Sequence, residues 1–164
     1  MSEPRIVHLQ PGDFHFAGGD TRMHTLLGSC VAITMWHPGR RVGGMCHYLL
    51  STADPRVRSS KMDARYADDA VELFAREVDR HAARPADFQV KIFGGADQFP
   101  AMRGPLSGVA GQNARTGLEL LDRYGFHVTT REIGGEGSRR LIFEVATGHV
   151  WVRTLKPLDA GARR

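Results

Sequence analysis

The sequence has little cysteine and no long hydrophobic run, and each shortage argues against a class of protein. Two cysteines among 164 residues are too few for a disulfide-stapled secreted domain, and they favour free thiols in a reducing compartment. No stretch approaches the ~20 apolar residues that span a bilayer, and the N-terminus lacks the apolar core of a secretory signal. We therefore expect a cytoplasmic protein that does not insert into a membrane.

Motifs for metals, nucleotides and nucleic acids are missing as well. Neither a zinc-type C-x-x-C nor an H-E-x-x-H occurs, and Gly94-Gly95 is not followed by the rest of a phosphate-binding loop. The net charge is +4, but the arginine doublets are scattered and no basic run is interleaved with aromatic residues. We expect no metal, no organic cofactor and no nucleic-acid partner, whereas the basic excess is compatible with an acidic partner protein.

Length and patterning predict a single α+β domain in which strands outnumber helices. The domain is expected over 1–156, with a flexible tail over 157–164. One helix is expected over 64–83, capped by Asp63, and another from Ser107 to a stop at Gly125. Strands are expected over 5–9, 14–17, 23–30, 30–36, 41–50, 88–93, 126–133, 141–145 and 150–155. The expected core faces are Ala67, Ala70, Val71, Phe74 and Val78 in the first helix, and Val109, Ala110, Ala114, Leu118 and Leu121 in the second.

The most informative feature is a hairpin that brings Cys30 towards His47. The residues at 37–40 include proline and glycine and predict a four-residue turn. If that turn makes Trp36 face Arg41, Cys30 lies directly opposite His47, with Cβ atoms roughly 4.5–5.5 Å apart. A thiol beside an imidazole is the minimum apparatus for a thiolate nucleophile with its own acid and base.

The same register separates the two cysteines. Cys46 shares the other face of the hairpin with Val31, Ile33 and Met35, which predicts a buried thiol in the core. Cys30 then faces outward into a site, so we expect no disulfide between the two. A slip of one residue would place Cys30 and His47 on different faces and remove the pair.

Glycines near the predicted nucleophile indicate an oxyanion or substrate-binding region. Gly28 lets the chain bend before Cys30, and the amides around Ser29 and Cys30 can point at a developing oxyanion. Gly94 and Gly95 follow a strand and are expected to allow close backbone approach near the cleft. The simpler interpretation, a turn followed by a buried cysteine, stays open from these residues alone.

Short motifs that follow one another along the chain carry a resemblance to a known family. Thr25-Leu-Leu-Gly-Ser-Cys-Val-Ala32 resembles that family's nucleophile motif, and Gly43-Gly-Met-Cys-His47 resembles its histidine motif. Each motif alone is weak, but the ordered set, from about Met23 to Leu155, is highly specific. The family is that of the chemoreceptor glutamine deamidase CheD of bacterial chemotaxis. Further matches are Arg65-Tyr-Ala-Asp-Asp-Ala70, Lys91-Ile-Phe-Gly-Gly-Ala96, Asn113, Tyr124-Gly-Phe126, Ile133-Gly-Gly-Glu-Gly-Ser-Arg139 and Thr147-Gly148.

The resemblance implies a protein-glutamine glutaminase that acts on methyl-accepting chemotaxis receptors. Such an enzyme hydrolyses selected glutamine side-chain amides on the receptors' cytoplasmic helices to glutamate, with Cys30 as nucleophile and His47 as its acid and base. It needs no cofactor. The resemblance also implies a layered α/β sandwich with two β-sheets and two to three helices, and it allows a CheC-type phosphatase as a second partner.

The resemblance implies a catalytic triad of cysteine, histidine and threonine, and its third member has two candidates in this chain. Members of the family often use a threonine, which some relatives place six residues before the cysteine, where this chain has His24. Thr25 lies one residue later, and we take it as the third member because a turn shortened by one residue accounts for the shift. His24 remains the alternative.

Two other functions stay open at this point. A different cysteine hydrolase, acting on peptides or esters, would use the same thioester chemistry. A non-enzymatic adaptor would bind receptors or a CheC-type partner without changing them. Release of ammonia separates deamidation from the first alternative, and a change in receptor mass separates it from the second.

Overall fold

The computed structural model describes residues 2–56, 60–97 and 108–155. Two α-helices and a single 3-10 turn at Pro85–Asp87 accompany the strands. The strands are β1 (Arg5–His8), β2 (Phe14–Gly18), β3 (Thr21–Leu27), β4 (Val31–His37), β5 (Val42–Tyr48), β6 (Gln89–Gly94), β7 (Val128–Ile133), β8 (Ser138–Glu144) and β9 (Val150–Leu155). The helices are α1 (Ala67–Arg80), between β5 and β6, and α2 (Gly108–Arg123), between β6 and β7.

The strands form two sheets. The four-stranded sheet has the order β1-β3-β8-β9, and the five-stranded sheet has the order β2-β5-β4-β6-β7. Neighbouring strands are antiparallel except for the parallel pairs β1·β3 and β6·β7. The predicted α+β sandwich with two sheets and two to three helices is therefore confirmed.

One core lies between the five-stranded sheet and the helices. The predicted stripe of α1 is buried throughout, because its spacing of three and four residues places it on one side of the helix. In α2 the prediction was wrong at Val109, which is 62% exposed at the first turn, whereas Ala110 and Ala114 are buried. The strands contribute Val31, Ile33, Met35, Cys46, Tyr48, Val90 and Ile92 to this core.

A second core lies between the two sheets. It is built from side chains on the facing surfaces of both sheets, which alternate along each strand with residues that point the other way. The five-stranded sheet is therefore covered on both faces. The helices cover one face, and the four-stranded sheet covers the other. The inter-sheet core contains Leu9, Met23, Leu27, Ala32, Met45, Phe93, Leu141, Phe143 and Val145.

Several predicted ends of elements differ from the structure. Asp63 does not cap α1: Tyr66 occupies the N-cap position without a side-chain hydrogen bond, and the Asp63 carboxylate instead accepts from Arg65 at 2.6 Å. Gly125 does follow the end of α2, with a positive φ of 82°, as expected of a helix stop. The predicted cap at Ser107 and the predicted tail over 157–164 lie outside the described residues. Among the described helices, none is long and apolar enough to span a membrane.

Candidate active site

The β4–β5 hairpin pairs two residues away from the predicted register. Ala32, not Cys30, lies directly opposite His47, and His37 lies opposite Val42. The loop still has four residues, but it begins one residue later and ends at Arg41, which adopts a positive φ of 52°. The predicted direct Cys30–His47 pair is therefore wrong.

The shift leaves the faces of the hairpin unchanged, because side chains alternate with a period of two. Ala32 belongs to the inter-sheet core, and Cys30 packs against that core. His47 lies opposite Ala32 and therefore on the same face of the hairpin. Cys46 lies opposite Ile33 in the helix-side core, fully buried, as predicted. Both cysteines are free thiols. The expectation that the Cys30 face looks outward was wrong, since the four-stranded sheet covers that face.

Cys30 lies one residue before β4 and is partly buried. Burial raises the pKa of its thiol above the ordinary value, because a thiolate loses hydration that a thiol does not need. No backbone–backbone hydrogen bond within the described residues uses the N–H of Ser29 or the N–H of Cys30 as its donor. These two N–H groups are thus free to serve an oxyanion.

His47 is held by a buried chain of hydrogen bonds. Its Nδ1 lies 2.7 Å from the hydroxyl of Thr25, and that hydroxyl donates to the carbonyl oxygen of Leu9 at 2.9 Å. The imidazole is only 2% exposed and Thr25 only 5%. The hydrogen-bond chain therefore joins β5, which carries His47, to β3, which carries Thr25, and to Leu9, the residue that follows β1.

The direction of these bonds determines the tautomer of His47. A carbonyl only accepts, so the single hydroxyl proton of Thr25 goes to Leu9, and the hydroxyl oxygen must accept from Nδ1–H. The other ring nitrogen, Nε2, then carries the lone pair. It is buried and has no hydrogen-bond partner among the described residues. Nε2, the ring nitrogen that does not contact Thr25, is therefore a base to which no group in the described part of the chain donates a hydrogen bond.

Burial also lowers the pKa of His47 to about 4. The charged imidazolium would lose its hydration in this position, and the nearby carboxylate of Asp13 offsets only part of that loss. The pKa values of Cys30 and His47 thus move apart in the directions that favour a neutral thiol and a neutral imidazole. A resting thiolate–imidazolium pair is disfavoured.

The Gly94-Gly95 segment supports the backbone of Cys30. The amide of Gly95 donates to the carbonyl of Cys30 at 2.8 Å, and the amide of Ala96 donates to the carbonyl of Gly28 at 3.1 Å. Because the N–H of Gly95 is engaged in this way, it points at the backbone of Cys30 and is not available to an oxyanion. The close approach expected of these glycines is thus made to Gly28 and Cys30.

Arg139 fixes this segment from the four-stranded sheet. Its buried guanidinium donates to the carbonyls of Gly94 at 3.2 Å and Gly134 at 2.5 Å. Reasoning from single residues missed this contact, although Arg139 ends one of the motifs that carry the family resemblance. The Leu9 carbonyl was missed too, and no sequence signal marks it because every residue has that group.

Gly94→Ala is expected to destabilise the protein and to displace Cys30. Gly94 has a φ of 110°, and a β-carbon there would overlap the carbonyl oxygen of Cys30. Gly19→Ala is the matched control, since it has a φ of 68° but nothing within 4 Å of the added carbon. Chemical denaturation should show a loss of about 1 kcal/mol for Gly19→Ala and at least twice that for Gly94→Ala. Equal losses would show that the contact with Cys30 is unimportant.

A cleft of about 380 Å³ opens onto this site. Thr25 and His47 line its inner end, and His24, Leu26 and Arg140 line its outer part. His24 and Thr25 point to opposite faces of β3, so Thr25 contacts His47 and His24 does not. Cys30 is not among the lining residues.

The groups near the cleft decide which chemistry the site can support. Within the described ranges, no three histidine, cysteine or acidic side chains come together as metal ligands would. His47 offers a neutral imidazole with a free Nε2 at the inner end of the cleft. Cys30, two residues before the residue opposite His47, offers a thiol and a backbone N–H without a backbone partner among the described residues. This set is suited to nucleophilic acyl transfer, in which the thiol attacks a carbonyl carbon.

Comparison with known proteins gives a consistent result. The family model described as CheD chemotactic sensory transduction matches residues 49–154. A protein of Pseudomonas fluorescens (strain SBW25) named "Probable chemoreceptor glutamine deamidase CheD" is 46% identical over 90% of this chain and 83% of its own length. A protein of Dechloromonas aromatica (strain RCB) named "Probable chemoreceptor glutamine deamidase CheD 3" is 41% identical over 99% of this chain and 95% of its own.

A solved structure is also similar to this chain. The crystal structure of the hypothetical protein YfiH of Bacillus licheniformis has a TM-score of 0.47 and 15% sequence identity, and the match covers 80% of this chain and 60% of that one. This likeness is too distant to carry functional meaning.

Proposed function

The chain belongs to the CheD family, and from that premise we propose that it is a chemoreceptor glutamine deamidase with Cys30 as its nucleophile. Its substrates are selected glutamine side chains of methyl-accepting chemotaxis receptors, which it hydrolyses to glutamate. The relatives whose names state this activity align with 90% and 99% of the chain. The family model begins at residue 49, after His47, so the roles of individual residues are argued from the site.

The observation that carries the proposal is the hydrogen-bond chain from Leu9 through Thr25 to His47. A histidine with only a structural role would be expected to use both ring nitrogens once it is buried. Here one nitrogen is held and the other is left as a buried lone pair. That state is costly for the fold, and it is the state that a general base requires.

The first half of the proposed reaction forms a thioester. His47 Nε2 takes the proton of the Cys30 thiol as the sulfur attacks the glutamine Cδ, because the pKa directions of the two groups disfavour prior ionisation. The amides of Ser29 and Cys30 donate to the oxyanion, and loss of one such donor typically costs about 10²–10³ in rate. The imidazolium returns the proton to the departing nitrogen, the C–N bond breaks, and ammonia leaves.

The second half hydrolyses the thioester. Water attacks the thioester carbonyl while His47 Nε2 again takes a proton, and the C–S bond breaks to release glutamate. Cys30 recovers its proton from the imidazolium, so that one water is consumed and one ammonia is released for each glutamine. Thr25 keeps the imidazole in the tautomer that both halves need.

Intact-mass analysis of the receptors' purified cytoplasmic segments tests the proposal. Incubation with the protein should add to the receptor the small fixed mass that replacing an amide NH₂ by OH produces, together with an equal amount of free ammonia. Peptide or ester cleavage without ammonia would favour another cysteine hydrolase. Binding with no mass change would favour an adaptor. A cytoplasmic location and a CheC-type phosphatase partner remain predictions from the sequence and the resemblance.

The stability of the protein should depend on pH through His47. The ordinary pKa of 6.5 applies to the unfolded chain, and the folded value is about 4, so the unfolded state binds an extra proton between these values. The free energy of unfolding should therefore fall as the pH falls through this interval, by on the order of 3 kcal/mol at most. Below the lower value His47 should add no further loss.

Urea unfolding across the same pH interval measures this effect. His47→Gln removes the titrating group and keeps a polar side chain, so its stability curve should be flatter than that of the wild type. If the two curves have the same slope, His47 does not change its pKa on folding.

A further inference from the structure

The outer face of the four-stranded sheet is not covered by any element in the described part of the chain. Side chains that alternate with those of the inter-sheet core point away from the molecule there. We call the exposed surface on this face the outer patch. Its residues include Ile6, His24, Leu26, Arg140, Trp151 and Arg153, and the same face also carries His8 and the Arg22–Glu144 ion pair.

The outer patch has a large apolar part. Ile6, Leu26 and Trp151 are 52%, 53% and 50% exposed, and they are three of the five large hydrophobic side chains that are exposed among the described residues. They lie at different register positions, opposite Arg22, Arg140 and Ile142. Scattered exposed hydrophobic residues are normal, but three of them on one open sheet face are typical of a protein interaction site.

The other part of the outer patch is cationic. Arg140 lies opposite Leu26 on one side and opposite Arg153 on the other, although like charges directly across neighbouring strands are unfavourable. Neither arginine has a salt-bridge partner within the described residues, whereas the neighbouring Arg22 pairs with Glu144 at 2.9 Å. The fold itself gives no reason to place two unpaired arginines side by side, but an acidic partner would.

The outer patch continues into the candidate active site. The cleft that exposes Thr25 and His47 at its inner end is lined by His24, Leu26 and Arg140 at its outer end. His24 lies at this junction, with its ring 5.2 Å from the ring of His8. A chain bound on the outer patch would lie over the mouth of the cleft that His47 lines.

We propose that the outer patch is the docking surface for an acidic, amphipathic stretch of the receptor substrate, and that it directs a neighbouring glutamine into the cleft. Carboxylates of the substrate pair with Arg140 and Arg153, and its apolar side chains pack on Leu26 and Trp151. This inference rests on the proposed function, because it takes the receptor as the substrate. It adds the selection rule that a susceptible glutamine lies beside carboxylates.

A charge-reversal pair of variants tests the docking surface. Arg140→Glu/Arg153→Glu reverses the outer patch, and Arg123→Glu/Arg131→Glu makes the same change in net charge at exposed arginines of α2 and β7, in the other layers. Each pair is placed in a Cys30→Ala background, and its Kd for a labelled receptor cytoplasmic segment is measured by fluorescence anisotropy. We expect at least a tenfold weaker Kd for the outer-patch pair and a change within twofold for the control pair.

Turnover by the same pairs with Cys30 intact separates binding from chemistry. The outer-patch pair should raise KM for the receptor segment by a larger factor than it lowers kcat, with equal melting temperatures and equal rates of Cys30 alkylation showing that the fold and site are intact. An unchanged Kd and KM in the outer-patch pair would overturn the docking proposal while leaving deamidation standing. Binding that depends on the outer patch, without any mass change in the receptor, would overturn the activity and leave the docking surface standing.

A second copy of the chain is the competing occupant of the outer patch. Sedimentation of the protein alone should show no dimer that Trp151→Glu dissociates. If such a dimer forms, the outer patch is a self-interface, and the docking proposal is overturned.

Discussion

Cys30→Ala is expected to abolish receptor deamidation, lowering the rate by at least about 10³-fold, with little change in the melting temperature. The side chain is partly buried at the end of the inter-sheet core, so its removal should disturb the packing little. The covalent step has no other sulfur available, because the second thiol lies on the opposite face of the sheet. The measurement is intact receptor mass after incubation with equal amounts of folded protein. Wild-type activity in this variant would refute the assignment of Cys30 as the nucleophile.

Cys46→Ala is the matched control for that experiment. Cys46 is fully buried in the helix-side core, and burial raises its pKa to about 12, so it is a small hydrophobic residue without nucleophilic character. Its truncation should cost about 1 kcal/mol of stability and keep the activity. An equal loss of activity in both variants would show that the two faces of the hairpin are not functionally distinct.

The predictable part of the site is the part that depends only on alternation along a strand. The hairpin, its four-residue loop and the face of each cysteine follow from the pattern of apolar residues. The register does not, because a shift of two residues leaves every side chain on its face and therefore costs the hydrophobic pattern nothing. The turn fixes the register, and its last residue, Arg41, has a positive φ. A positive φ is uncommon for arginine, so the sequence does not indicate that the loop ends there.

What covers the hairpin was harder to predict than the hairpin itself. The sequence predicts that the face with Cys30 and His47 looks outward, because the opposite face of the hairpin is apolar throughout. In the structure Thr34 and His47 are both buried beneath the four-stranded sheet. A sheet with cores on both faces has no simple period-two signature, since both sets of side chains are mainly apolar.

The choice between His24 and Thr25 also depended on tertiary structure. The two neighbours in β3 must point to opposite faces, but the sequence does not say which face meets β5. The packing of the two sheets decides this, because the face with Met23 and Leu27 turns inward and carries Thr25 with it. The partner of the Thr25 hydroxyl, the carbonyl of Leu9, belongs to a segment 16 residues away and has no side-chain signature at all.

Thr25→Val is expected to lower kcat by about 10²-fold, which is the scale of general acid–base catalysis. Valine keeps the volume but cannot accept the Nδ1–H of His47, so the ring loses the contact that holds the lone pair on Nε2. The variant should also lose about 1–3 kcal/mol of stability, because Nδ1 and the Leu9 carbonyl are left buried without partners. The measurement is kcat per folded enzyme on a receptor segment, and Thr25→Ser, which retains the hydroxyl, should recover most of the rate.

Thr21→Val separates the orienting role from a structural one. Thr21 lies on the same strand and the same face, is equally buried at 5%, and donates its hydroxyl to the carbonyl of Gly18 at 3.1 Å. Within the described residues no hydrogen bond joins that hydroxyl to a histidine. Thr21→Val should therefore lose stability without a loss of kcat. A matching fall of kcat in both valine variants would reduce Thr25 to a structural residue. A severe fall of kcat in His24→Ala, with a near-normal Thr25→Val, would transfer the orienting role to His24.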